Sequence, residues 1–229
     1  MSNEGDLLQP VPLEPVAVLT RSWEILRDNP VVVLGAAFLP IIVSIGFQVT
    51  QQVMQMAMEQ QTEPNLALVG AVMLVALVGM LVQIFFQLGM LRIFSRLARG
   101  LPAELSMLVG EVHHLPAAIG ASVILAFAVA IGLLLLIVPG VILGIGLQFA
   151  LIALIDQDLG PIQALEESWR LTDGYKLAVF VVNLLIGLIG LAVICGTLGV
   201  GYLLVVPIGS LTQAVIYHSL MHAKAGAQI

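Results

Sequence analysis

Charge is scarce in this 229-residue chain: Asp, Glu, Lys and Arg together make up 10 %, against roughly 25 % in an average soluble domain. With 60 % of residues hydrophobic, too little polar surface remains to cover a water-soluble core, so lipid is the expected solvent for much of the surface. A lone cysteine, Cys195, excludes an internal disulfide. The opening "MSNEGDLLQP" lacks the basic stretch of a signal peptide, which predicts that the first apolar segment stays in the mature protein. Strand-like alternation of useful length is missing, which argues against a barrel. Also missing are a phosphate loop, a serine–histidine–acid set, paired cysteines and a basic patch suited to nucleic acid. The expectation is a protein that is not an enzyme, with no catalytic residues, no cofactor, no metal and no nucleic-acid partner.

What is present is apolar length. A hydrocarbon core about 30 Å thick needs about 20 apolar helical residues. Six segments meet or approach that: Val31–Met54, Leu66–Arg92, Leu115–Val138, Gly140–Ile155, Leu177–Cys195 and Gly199–His218. The third and fourth are separated only by "VPG" and the last two by "CGTLGVG", which predicts hairpins. With six spans, all eight basic residues fall on the side of both termini: Arg21, Arg27, Arg92, Arg96, Arg99, Arg170, Lys176 and Lys224. The opposite side has Glu59 and Glu63 and no basic residue. Lysine and arginine mark the inside, so both termini are expected in the cytoplasm.

The only two tryptophans sit in matching phrases, "PVAVLTRSWEIL" from residue 15 and "PIQALEESWRLT" from residue 161. Proline, the leucine four residues on, serine and tryptophan coincide without a gap. Val16, Leu19, Trp23 and Leu26 recur at helical spacing, as do Ile162, Leu165 and Trp169. Proline suits a first helical turn, where its missing N–H would be unpaired anyway. Each phrase therefore predicts an amphipathic helix lying on the cytoplasmic leaflet before a hairpin, with Trp23, Trp169, Arg21 and Arg170 as interfacial anchors. A fainter third copy, "LPAELSMLVGEVHHL", carries Leu105 and Leu108 but no tryptophan. The predicted fold is an all-α integral membrane protein of three such hairpins. A tail over 1–12 precedes a single membrane domain over 13–229, with repeat-like units 13–99, 100–158 and 159–222.

The run from residue 138 to 180 holds Pro139, Gly140, Asp156, Gly160, Pro161, Ala164, Leu165, Ser168, Trp169, Leu171, Thr172 and Gly174. This pattern resembles the signature of six-span bacterial membrane proteins of the domain-of-unknown-function 975 type. That group is similar to the membrane domain beside some glycerophosphodiester phosphodiesterases. The resemblance implies a fold and a place in the bacterial cytoplasmic membrane, and no catalytic residues.

No charged residue lies mid-span, where ion-coupled carriers and voltage sensors place one. The spans instead carry Gln83, Gln87, Gln148, Asn183 and Gln213. Such side chains commonly hydrogen-bond between helices, at about 0.6 kcal/mol each; alternatively they line a vestibule open to the cytoplasm. His218 and His222 share a helix face, but this spacing alone is weak evidence for a metal, and histidine is favoured at a helix C-terminus in any case. The methionines of "MQMAM" diverge around a helix and do not form a copper site. Pro40 and Pro207 are expected to kink their spans, and Gly140 with Gly144 to form a close-packing face. The expected role is a scaffold, accessory or modulatory subunit whose partners are lipids and another membrane protein or a second copy. The alternative is binding or transport of a lipid or small solute through the polar vestibule.

Overall fold

Proline opens four of the helices at the first or second position, where it lacks no needed hydrogen bond: α1 (Pro15–Asp28), α2 (Pro30–Glu59), α4 (Leu115–Leu135) and α7 (Pro161–Thr172). The computed structural model describes residues 14–59 and 65–226; the tail assigned to 1–12, and Glu63, lie outside that range. The other helices are α3 (Leu66–Ala98), α5 (Ile137–Leu147), α6 (Ala150–Gln157), α8 (Lys176–Gly196) and α9 (Tyr202–Gly226). No strand occurs among the described residues. Six helical segments are long and apolar enough to cross a membrane: α2, α3, α4, α5 with α6, α8 and α9. The chain is by these measures a multi-pass membrane protein.

The core gathers at one end of the bundle, around Leu88, Ile93 and Phe94 of α3, Phe149, Leu154 and Ile155 at α6, and Ile216, Tyr217 and Leu220 of α9. Away from that end fewer residues are buried. No described residue from 38 to 83 is buried, although α2 and α3 run alongside each other. Within the bundle α4 packs along α5, and α8 more loosely along α9. α1 leans on α9, and α7 on α6.

Four sequence expectations change. The third prelude is not an α-helix: Leu105–Val109 and Val112–His114 form two short 3-10 turns, the first pressed on α3 at Gly89. The turn expected at "VPG" lies earlier, at extended Leu136, and Pro139 and Gly140 belong to the first turns of α5. Proline tolerates that position, while Gly140 and Gly132 lack the side chains that would hold α4 and α5 apart. A side chain at Gly144 would meet nothing within 4 Å, so its lack of one is not what permits that contact. The fourth span is also broken, at Gln148 and Phe149, between α5 and α6. Pro40 and Pro207 both sit inside uninterrupted helices.

The apolar stripes also divide. On α1 the inward face is Val18, Ser22, Ile25 and Leu26, while Val16 and Trp23 point away from the chain. On α7 Ala164, Leu165, Ser168, Leu171 and Thr172 are buried and Ile162 is exposed. The serine of each repeated phrase is thus wholly buried, and each meets a polar group of another helix or span. Ser22 donates to the carbonyl of Val18 in its own helix and meets Thr212 Oγ1 of α9 at 3.1 Å. Ser168 repairs the break in the fourth span: it donates to the Gly146 carbonyl at 2.9 Å and accepts from the Phe149 N–H at 3.1 Å. Thr172 adds a bond to the same carbonyl. Within a membrane a freed backbone group must find an internal partner, and α7 supplies it.

Candidate functional site

Two polar arrays stand inside the apolar frame. The first joins three of the five amides singled out above. Gln213 Nε2 on α9 donates to Asn183 Oδ1 on α8 at 3.0 Å, and Asn183 Nδ2 donates to Gln148 Oε1 at the break in the fourth span at 2.9 Å. The row ends on Gln148 Nε2, which is buried without a partner. Between α8 and α9 opens a groove of about 850 Å³, lined by apolar side chains together with Asn183, Ser210 and Gln213.

Gln83 and Gln87 do not join this row. Both are exposed on α3 and make no hydrogen bond among the described residues; Gln83 borders a small cleft with Pro40, Ser44 and Phe47 of α2. The five amides therefore do not converge on one void.

The second array ties the buried end of the bundle together. Arg92, Ser95 and Arg99 recur at spacings of three and four on α3, hence on one face. Arg99 pairs with Asp156, whose side chain is 3 % exposed, and Ser95 donates to the same carboxylate at 3.0 Å. Since the serine proton is committed to Asp156, the 2.9 Å contact between Ser95 Oγ and His218 Nε2 has the imidazole donating. His218 is therefore not placed to withdraw that proton. Arg92 donates to the Ile155 carbonyl at 2.7 Å and lies 3.5 Å from Glu111. Gln157 donates to the Tyr217 hydroxyl at 3.0 Å.

The anchors differ from one another. Arg170 grips Glu167 with two bonds of 2.7 and 2.8 Å, and this pairing holds the Glu167 carboxyl below the usual carboxylate range. Arg21 makes only a 3.5 Å contact with Glu24. Trp169 covers Gly146 at the broken span, with Lys176 Nζ 3.9 Å from its ring centre. Trp23 is half exposed. His222 is exposed and makes no hydrogen bond among the described residues.

Sequence reasoning passed over Ser95 and the Arg99–Asp156 pair. The signal was available: a face of α3 bearing Arg92, Ser95 and Arg99, and an acidic residue closing the fourth span. What one-dimensional reading lacks is the knowledge that these two span ends touch.

Comparison with known proteins places residues 93–229 in the family described as Domain of unknown function (DUF7847), a match over more than half the chain, so the chain belongs to that family. The match takes in the whole signature from 138 to 180, yet carries no link to the domain-of-unknown-function 975 type or to the phosphodiesterase membrane domain. No curated protein and no solved structure matches the chain.

Proposed function

We propose that this member of the DUF7847 family is a non-enzymatic integral protein of a bacterial cytoplasmic membrane, acting as a scaffold, accessory or modulatory subunit of a membrane assembly. In this reading the spans form three hairpins, α1 and α7 lie along the cytoplasmic leaflet, and both termini are cytoplasmic. The one-sided placement of all eight basic residues supports the orientation.

One observation carries the role. Gln83 and Gln87 lie one turn apart near the middle of α3, exposed and without intrachain hydrogen bonds among the described residues. An amide left bare in hydrocarbon costs roughly 2–7 kcal/mol. A neighbouring helix that accepts and donates to both removes that penalty, and the outlying halves of α2 and α3 leave room for one. Replacing both residues by leucine is expected to leave the fold intact and to release a partner that otherwise co-purifies after gentle extraction. Native mass spectrometry reads the result directly. If the wild-type chain emerges alone and the double variant behaves identically, the scaffold reading fails.

The groove between α8 and α9 favours a second reading, retention of a lipid or small solute. Its volume of about 850 Å³ falls within the usual 300–1,000 Å³ of ligand sites, and its polar groups are few. Here Gln148→Leu with Asn183→Leu should spare assembly and strip any bound lipid or solute. Unchanged lipid content in that variant would remove this reading.

A further inference from the structure

We propose that Glu111, His113 and His114, immediately before α4, hold a divalent cation of the zinc class. The three residues each present one ligating atom, and these atoms lie within 4.8 Å of one another. Two imidazole nitrogens with a carboxylate oxygen suit zinc and its neighbours; magnesium and calcium prefer oxygen alone.

A second observation concerns His114. Its Nδ1 lies 2.8 Å from Glu111 Oε2 and its Nε2 lies 2.9 Å from Asp158 Oδ1. Ionised carboxylates only accept, whereas a neutral imidazole has a single N–H to give. One of the two contacts therefore sets lone pair against lone pair unless a cation or a further proton enters. A metal on Nδ1 resolves the conflict. Nε2 then keeps its hydrogen and donates it to Asp158, the arrangement in which a carboxylate orients a ligating histidine.

The surroundings fit that division of labour. Glu111 and His114 are both buried, so their positions are set by packing. Arg92 stands 3.5 Å from Glu111 Oε1, leaving Oε2 as the ligating oxygen. Asp158 reaches His114 through a left-handed backbone, φ 55, at the end of α6. His113 is exposed, with its ring centre 4.0 Å from that of His114. In a tetrahedral zinc site with bonds of about 2.0–2.2 Å, ligating atoms stand about 3.3 Å apart. Widening the 2.8 Å Glu111–His114 contact by about half an ångström and turning exposed His113 inward admits the ion. Water completes the fourth position. Bound there, the ion would brace the 3-10 segment, whose ties to α3 and to the end of α6 run through Arg92 and Asp158, a role that does not depend on the scaffold reading.

The test uses the full chain in detergent, stripped of metal and titrated with zinc chloride alone by calorimetry. One equivalent is expected to bind, with a dissociation constant at or below about 10 μM. His113→Ala removes a ligand that makes no hydrogen bond among the described residues, so the fold is retained; zinc affinity should fall at least about tenfold. Asp158→Asn tolerates the left-handed backbone and should weaken binding by about tenfold without changing the stoichiometry. His222→Ala, distant in sequence and exposed, should bind as the wild type does. Absence of stoichiometric binding overturns the proposal and leaves a proton as the occupant. So does zinc binding that is unaffected by His113→Ala, or that is lost instead in His222→Ala.

Discussion

Gly89→Ala is expected to destabilise the chain by about 3 kcal/mol, the upper part of the range for overpacking a filled interior. A β-carbon at Gly89 meets the backbone of Leu108, with its Cα, carbonyl carbon and carbonyl oxygen all inside 3 Å. A flexible side chain would swing aside, but backbone cannot, so the whole 3-10 segment must lift from α3. That segment carries Leu108 into the core and leads directly to Glu111 and His114. The loss should therefore appear in the thermal midpoint in detergent, and with it a weakening of zinc binding. Gly144→Ala is the matched control, because nothing lies within 4 Å of its added methyl. Equal midpoints for the two variants would mean that the contact between α3 and the 3-10 segment does not hold the bundle together.

Asp156→Ala should have the next largest effect, about 2–3 kcal/mol. Removing one partner of a buried ion pair costs roughly 3–5 kcal/mol, because the surviving charge is left without a counterion. Here the estimate is lowered: the Arg99 side chain is 37 % exposed, so water reaches the guanidinium once the carboxylate is gone. Ser95 is wholly buried and loses its acceptor as well, which water does not repair. Asp156→Asn keeps one acceptor oxygen and should fall between wild type and alanine. Pairing Asp156→Ala with Arg99→Ala should recover part of the loss, since the stranded charge is removed too. Strict additivity of the two single losses would show that the pair is not coupled and that the array around it owes its order to packing alone.

The repeated tryptophan phrases show how sequence and structure share the explanation. Proline at the first turn and the helical recurrence of apolar residues announce α1 and α7, and the helices begin at Pro15 and Pro161. The periodicity treats the tryptophan stripe as the important face. In three dimensions the serine beside each tryptophan is the buried member, because its hydroxyl satisfies polar groups that apolar side chains cannot. Ser168 bonds backbone freed at the break in the fourth span. That break is invisible in "GVILGIGLQFALIALI", which reads as one apolar run.

Composition and spacing alone determined the all-helical class and six segments able to cross a membrane, since length and hydropathy are local properties of the chain. They also located the starts of α1 and α7, which depend on a proline within a single turn. Only tertiary structure decided which polar side chains meet. Gln148, Asn183 and Gln213 pair across three segments while Gln83 and Gln87 face outward, although all five are amides in apolar segments. Likewise the segment before α4 became 3-10 turns because Gly89 lets its backbone lie against α3, and Arg99 found Asp156 because two span ends far apart in sequence share one end of the bundle. The physical reason is the same in each case: a hydrogen bond or an ion pair between elements depends on the rotation of one helix about its axis relative to another, and no local periodicity encodes that angle.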